Sequence, residues 1–169
     1  MTDIYIALHS TGQRGRYHWQ LVFPTSAGHI GNANVFQVRL DSVWVTAHAN
    51  NADILSSSES SFVCAVRLPP VSDIKRAHRI AATEDPGQGS TALLWIHSAA
   101  GLGWSCAQWV IRVLRIFIAE GIMTSTLTAG AEDNGASFYL QICGVGAKAE
   151  DDRDLGQVVD GVRIIPLDA

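Results

Sequence analysis

The residues of this sequence best suited to chemistry are Cys106 and His18. Cys106 opens the segment CAQWVIRVLRIFIAEGI, in which apolar side chains recur at the spacing of one helix face. The sequence therefore predicts a helix of about four turns, with Ser105 as its N-cap and Gly121 as its C-terminal stop. Cys106 lies in the first turn, where unpaired backbone N–H groups and the positive end of the helix dipole favour a thiolate over a thiol.

His18 lies in the segment YHWQLVF, which is rich in aromatic and β-branched residues and is followed by Pro24. These features predict a strand over residues 17–23. A histidine has no obvious packing role there, and an imidazole close to Cys106 would lower the pKa of the thiol further. The two residues are therefore a candidate nucleophile and a candidate general base.

A third group would have to orient the imidazole of His18. It must accept a hydrogen bond from the ring nitrogen that faces away from the sulfur. Gln37 lies in the strand predicted over residues 35–40 and Asp41 follows that strand, and either side chain could accept this bond. Arg39 could not, because a guanidinium only donates. Gln37 and Asp41 are equal candidates at this point.

The other cysteines and histidines are predicted to have structural roles. Free cysteine is among the most buried residue types, which makes packing the simpler role for Cys64 and Cys143, and for Cys106 if it is taken alone. Three cysteines without CxxC spacing argue against a disulfide framework and against a zinc site. No metal and no cofactor is predicted, since the remaining histidines lack a spacing such as HxxxH: His9, His29, His48, His78 and His97.

Tryptophans are the predicted substrate-binding residues. The chain has five, and such side chains either fill a core or line a hydrophobic pocket. Trp104 and Trp109 flank Cys106 in the sequence, and Trp19 follows His18. These three are expected to contact a substrate.

Composition sets the class of protein. Of 169 residues, 47% are apolar and 17% are charged, which is enough to form one core, so a single domain over residues 1–169 is predicted. The net charge of −4, with no cluster of Lys or Arg, argues against nucleic acid as a partner. No apolar run reaches the roughly 20 residues of a membrane span, and MTDIYIALHS is typical of a strand rather than of a signal peptide. We expect a cytoplasmic protein with a small-molecule substrate, and a homodimer is the expected assembly because it is the commonest oligomer.

The remaining elements predict an α+β fold. Alternating or β-branched segments predict further strands over residues 4–8, 43–47, 62–68 and 161–169, and the polar segment PTSAGHIGNAN is predicted to be a turn. Ser72 is the expected N-cap of a short amphipathic helix. On the helix that begins at Cys106, four residues are expected to lie opposite the apolar face: Gln108, Arg112, Arg115 and Ala119.

A strand that carries His18 and Trp19, followed by another strand and later by a helix that opens with CAQW, resembles the circularly permuted papain-like arrangement of lecithin retinol acyltransferase-like proteins. The order of YHWQLVF, VRLD, VRLPPVSDI and SCAQWVIRVL resembles more closely a family of uncharacterised small fungal proteins. The resemblance covers residues 1–125. It implies an antiparallel sheet packed against a central helix that bears the cysteine, with Cys106 as nucleophile and His18 as general base. Where the acyltransferase pattern often has a second histidine, this sequence offers Gln37, Arg39 or Asp41.

Three functions follow as hypotheses. The first is a cysteine-dependent hydrolase or acyl-transfer enzyme that acts on an amide, an ester or a thioester. The second is a fungal natural-product biosynthetic enzyme that performs a cyclisation or an addition in an aromatic pocket, without need of the thiol, so that Cys106→Ala would stay active. The third is a non-catalytic ligand- or protein-binding module on the same scaffold, in which Cys106 would be buried out of reach of His18.

Overall fold

A seven-stranded sheet forms the largest part of the structure, a computed structural model in which residues 1–26, 28–56, 61–125 and 133–169 are described. The strands in chain order are β1 (Tyr5–Ser10), β2 (Tyr17–Ser26), β3 (His29–Phe36), β4 (Val38–Leu40), β5 (Trp44–Thr46), β6 (Ala49–Asp53), β7 (Phe62–Arg67), β8 (Gln157–Val159) and β9 (Val162–Pro166). The large sheet has the order β6-β3-β2-β1-β7-β9-β8, and β4 pairs with β5 in a separate ribbon. Only β7 and β9 pair in parallel within the part described. The prediction of an α+β chain with an antiparallel sheet is therefore confirmed at this level.

Side chains of β1 and β2 alternate between two faces of the sheet, as the period of a strand requires. Tyr17, Trp19 and Leu21 point to the face covered by helices and join the larger core. Val22 points to the opposite face and joins a smaller core. His18 has the same parity along β2 as Val22, so its side chain leaves the strand on the same face as that of Val22.

The sheet curls so that β3 approaches the turn between β8 and β9. The Nδ1 atom of His29 lies 3.5 Å from a carboxylate oxygen of Asp160. A Cβ atom built on Gly31 would lie 3.3 Å from the Cβ of Asp160, so the two segments are in close contact. The smaller core fills the inside of this curl.

Four helices accompany the sheet in the described residues: α1 (Ile74–Thr83), α2 (Trp95–Ala99), α3 (Cys106–Ala119) and α4 (Ala136–Asp151). The predicted helix is present as α3, with Ser105 as its N-cap, and it packs against β2. None of these helices is both long and apolar enough to cross a membrane.

One prediction about α3 is wrong. Gln108 was expected to face away from the apolar side, but its side chain is buried. Its amide oxygen accepts from the backbone N–H of Leu94 at 2.9 Å, and its amide nitrogen donates to the carbonyl of Gly103 at 3.2 Å. Burial of this polar group is possible because both ends of the amide are hydrogen-bonded. Gln108 thereby holds the segment before the helix against its first turn.

Three other boundaries also differ from prediction. The cap of α1 is Asp73, whose carboxylate accepts from the N–H of Arg76, whereas Ser72 donates to the carbonyl of Ile122. Most of the polar segment predicted as a turn belongs to the end of β2 and the start of β3. Backbone hydrogen bonds pair these strands as far as Ser26 and His29, and such pairing does not depend on apolar side chains. Ala27, within this segment, lies outside the described residues. The strand predicted over 35–40 is divided between β3 and β4.

A close contact between α4 and the sheet gives a test of the packing. A Cβ atom added to Gly146 would lie 2.6 Å from Cε2 of Tyr17 and 3.0 Å from Cδ1 of Leu8, so Gly146→Ala requires a shift of β1, β2 or α4. We expect it to lower the free energy of unfolding by about 1–3 kcal/mol, as measured by urea denaturation.

Gly144→Ala is the matched control for this measurement. Gly144 lies in the same helix, and an added Cβ would meet nothing within 4 Å. We expect a stabilisation of about 0.5–1 kcal/mol from helix propensity alone. Equal effects of the two substitutions would contradict the close packing of α4 on the sheet.

Candidate thiol site

Cys106 lies where β3 leaves β2. Strand β3 pairs with β2 only from Leu21 onward, so the edge of β2 before that residue is not covered by β3. The start of α3 occupies this position, and the backbone N–H of Trp19 donates to the Sγ atom of Cys106 at 3.4 Å. The sulfur thus takes a hydrogen bond that a neighbouring strand would otherwise accept.

The helix start itself is fixed by capping. The Oγ atom of Ser105 accepts from the backbone N–H of Gln108 at 3.2 Å. The Sγ atom of Cys106 also accepts from the backbone N–H of Ala107. A negative charge on the sulfur is favoured at this end of a helix of 14 residues.

His18 is hydrogen-bonded to the thiol of Cys106. Its other side faces Gln37, because the Nε2 atom lies 2.6 Å from the amide oxygen of that residue. One imidazole therefore connects a sulfur on α3 to an amide oxygen in the link between β3 and β4.

The base of the β4–β5 ribbon holds Gln37 in place. The side-chain nitrogen of Gln37 donates to the backbone carbonyl of Ala47 at 3.0 Å. In return, the backbone N–H of Ala47 donates to the backbone carbonyl of Gln37 at 3.0 Å. Its own N–H donates to the Nδ1 atom of His48 at 3.1 Å. The residue is thus fixed through its backbone and through its side chain.

This bonding determines the protonation of His18. A carbonyl oxygen can only accept, so the end of the Gln37 amide at Ala47 must be the NH₂ group and the other end must be the oxygen. An amide oxygen also only accepts, so the Nε2 atom of His18 must carry a proton. When the ring is neutral, its Nδ1 atom therefore carries no proton and can accept the proton of the Cys106 thiol.

The surroundings of the sulfur have opposing electrostatic effects. Burial disfavours the thiolate, but the hydrogen bond and the charge of His18, with the N–H groups of Trp19 and Ala107, outweigh it and lower the pKa of Cys106. At the other two thiols burial prevails: it raises the pKa of Cys143 to about 11, despite a hydrogen bond with Tyr139, and that of Cys64 to about 12. Among the three cysteines only Cys106 is placed to react as a thiolate.

Asp41, the other candidate for the orienting group, lies elsewhere. It is in the turn between β4 and β5, where its carboxylate lies 3.4 Å from Nε of Arg39, and both side chains are more than half exposed. The alternation of residues along a strand does not give the distance between this turn and His18. The sequence alone therefore leaves both Gln37 and Asp41 as candidates for the orienting group.

Two of the three tryptophans predicted to contact a substrate lie in the core instead. Trp19 and Trp109 are fully buried in the core, so their rings cannot contact a substrate in an open site. The indole N–H of Trp109 donates to the carbonyl of Asp85 at 3.0 Å. Trp104 is 8% exposed, and the guanidinium of Arg112 lies 4.8 Å from the centre of its ring. The aromatic side chains next to Cys106 in the sequence fill the core because α3 is buried along most of its length.

A second group of polar and aromatic residues lies beside the helix start, and sequence reasoning did not find it. The Nε2 atom of His97, on α2, lies 3.4 Å from the Oγ of Ser105. The ring of His97 packs against that of Tyr139, which stacks on Trp19 at 5.6 Å between centroids. Neither residue shares a motif with Cys106, since three separate helices bring them together.

Two cavities in the described residues lie away from the sulfur. One, of about 530 Å³, runs along α3 past Trp104 and Ile116. The other, of about 860 Å³, lies at the far end of β2 beside Phe23 and His78. Neither of these two cavities is lined by Cys106 or His18.

Within the described ranges, no three His, Cys, Asp or Glu side chains are grouped as a metal ion would require. Comparison of the chain with protein-family models, with curated proteins and with solved structures finds no match.

The pH dependence of alkylation tests the thiol–imidazole pair. With iodoacetamide, we expect Cys106 of the folded protein to react with a midpoint below that of an ordinary thiol, because only the thiolate reacts. In His18→Ala the imidazole no longer offsets the effect of burial, which disfavours the thiolate, so the pH midpoint of Cys106 alkylation should rise. Mass spectrometry identifies the labelled cysteine, and Cys64 and Cys143 serve as internal controls that stay unlabelled. Labelling of Cys106 only after unfolding would show it to be a packing residue.

A second alkylation experiment distinguishes the two candidate orienting groups. Gln37→Met removes the acceptor at 2.6 Å from His18 and should raise the midpoint for Cys106. Asp41→Asn removes a charge from an exposed turn and should leave it unchanged. The reverse order would assign the orienting role to Asp41.

Proposed function

We propose that the protein is a cysteine-dependent hydrolase or acyl-transfer enzyme that acts on an amide, an ester or a thioester. The observation that carries the proposal is the unbroken set of contacts from Cys106 through His18 to Gln37. A nucleophile, a base within hydrogen-bond reach and a group that orients the base are the parts that covalent acyl chemistry requires.

The reaction proceeds in two halves. The sulfur of Cys106 attacks the carbonyl carbon of the substrate, while the thiol proton resides on Nδ1 of His18. The tetrahedral intermediate collapses when His18 gives that proton to the leaving nitrogen, oxygen or sulfur, and an acyl group remains on Cys106. Water, or a second nucleophile in an acyl transfer, then attacks the thioester carbonyl as His18 takes its proton. When this second intermediate collapses, the carbon–sulfur bond breaks, the acyl product leaves, and His18 returns the proton to the sulfur.

Backbone N–H groups are suited to stabilise the oxyanion of both intermediates. The N–H groups of Trp19 and Ala107 already donate to the sulfur and so lie beside the carbonyl group that it would attack, whereas the N–H of Gln108 is bonded to Ser105. Donors fixed in this way are effective because they need not reorganise as the charge develops.

The chain order supports a permuted papain-like assignment. His18 lies on a strand that precedes the helix of Cys106, and an antiparallel sheet packs against that helix. In the lecithin retinol acyltransferase-like pattern the third residue is often a histidine, whereas the amide of Gln37 takes that role in our proposal. Four further properties remain predictions: a likeness to fungal proteins, a cytoplasmic location, a small-molecule substrate and a homodimer.

Two observations favour this proposal over the alternatives. A thiol-independent cyclase was expected to use an aromatic pocket, and Trp19 and Trp109 are buried instead. A binding module was expected to hold Cys106 away from His18, and the two are in contact.

Turnover of small acyl substrates is the direct test. We expect the protein to hydrolyse one or more of a p-nitrophenyl ester, an alkyl thioester and a peptide anilide, with an acyl adduct on Cys106 visible by intact-mass spectrometry. Cys106→Ala should abolish activity, and His18→Ala should lower kcat/KM by about 10²–10⁴-fold, the range for loss of a general base. Cys143→Ala is the matched control and should retain activity. Full activity of Cys106→Ala would favour the thiol-independent enzyme.

A further inference from the structure

The hydrogen bonds at the thiol site continue beyond Gln37 to two buried residues. The side-chain nitrogen of Gln20 donates to the amide oxygen of Gln37 at 2.9 Å. The amide oxygen of Gln20 lies 2.9 Å from the Nε2 atom of His9. Gln20 is 8% exposed and His9 is 0% exposed. A polar chain thus runs from His9 through Gln20 and Gln37 to His18.

Strand register places these side chains together. His9 on β1 is opposite His18 on β2, and Gln20 is two residues along β2 from His18. Residues so related point to the same face of a sheet. This is the face whose other residues form the smaller apolar core, and the ring of Phe62 lies 5.6 Å from that of His9.

Burial of a histidine and an amide in apolar surroundings has a cost. Each polar atom lost from water costs roughly 1–3 kcal/mol if it finds no partner. The Nδ1 atom of His9 finds none among the described residues. Apolar side chains would fill these two positions without that cost, so stability alone does not explain the pair.

Donor and acceptor roles along this chain are determined by the Gln37 amide. Its oxygen accepts from both His18 and Gln20, so the group of Gln20 that faces it is the NH₂. The oxygen of Gln20 must then face His9, which requires a proton on Nε2 of His9 and leaves Nδ1 of that ring bare. Burial also lowers the pKa of His9, more than the bond to Gln20 raises it, so the ring stays neutral.

We propose that Gln20, anchored by His9, is a positioning residue of the thiol site that holds the amide oxygen of Gln37 against His18. The inference deepens the proposed function and rests on it. Two donors converge on the Gln37 oxygen, one for each lone pair, and together with the carbonyl of Ala47 they hold the amide from three directions. Without Gln20, the amide can turn away, and the His18 ring loses the partner that fixes its contact with sulfur.

The decisive experiment is alkylation of Cys106 by iodoacetamide over a range of pH in Gln20→Met. This substitution keeps the length of the side chain and removes both hydrogen bonds. We expect the midpoint to rise by about one pH unit, which is about tenfold slower alkylation at a fixed pH below both midpoints. Gln141→Met is the matched control, the same exchange at an exposed residue of α4, and should leave the midpoint unchanged.

A measurement on the unmodified protein tests the inference even if Gln20→Met does not fold. Nitrogen NMR of the histidine rings should show His9 neutral with its proton on Nε2, and His18 with Nε2 protonated in both of its charge states. A proton on Nδ1 of neutral His9 would overturn the inference.

The two proposals fail in different ways. An unchanged midpoint in folded Gln20→Met, beside a raised midpoint in His18→Ala, would overturn the positioning role and leave the thiol–imidazole pair intact. Absence of acyl turnover and of an acyl adduct would contradict the proposed reaction, and would change neither the alkylation midpoints nor the ring protonation.

Discussion

The arrangement of the thiol site depends on one break in strand pairing. If β3 continued along β2 beyond Leu21, the N–H of Trp19 would be bonded within the sheet and the start of α3 could not reach it. The break also turns the chain at Gln37, where β3 gives way to the β4–β5 ribbon. Both the nucleophile and the orienting amide are therefore placed by the loss of a few backbone hydrogen bonds.

Local chemistry at this break separates Cys106 from the other two cysteines. All three are shielded from water to some extent, and shielding alone raises the pKa of a thiol, as it does for Cys64 and Cys143. What differs at Cys106 is the combination of an imidazole, a strand N–H and a helix N–H on one sulfur. Because the same residue type serves as packing twice and as a candidate nucleophile once, cysteine content says little about function without these partners.

Sequence patterns predicted the parts of the site that depend on local structure. Helical spacing and the Ser105 cap located the start of α3, and the aromatic run located the strand of His18. Distances across the sheet could not be predicted in this way, because they depend on register. The opposition of His9 to His18 follows from the register between β1 and β2, and the position of Asp41 follows from the pairing of β4 with β5. The burial of Trp109 depends on how α3 packs against the rest of the structure, which its own segment does not specify.

The closed base of the β4–β5 ribbon bears on how related sequences would vary. The reciprocal hydrogen bonds between Gln37 and Ala47 close the base of the ribbon without using any residue of its two strands. At the opposite end of the ribbon, Leu40 and Val43 are exposed to solvent. Residues added or removed at that end lengthen or shorten the ribbon without moving the amide at its root, and loop length changes stability only slightly. Natural selection can therefore alter what the ribbon reaches while the geometry around the sulfur is inherited intact.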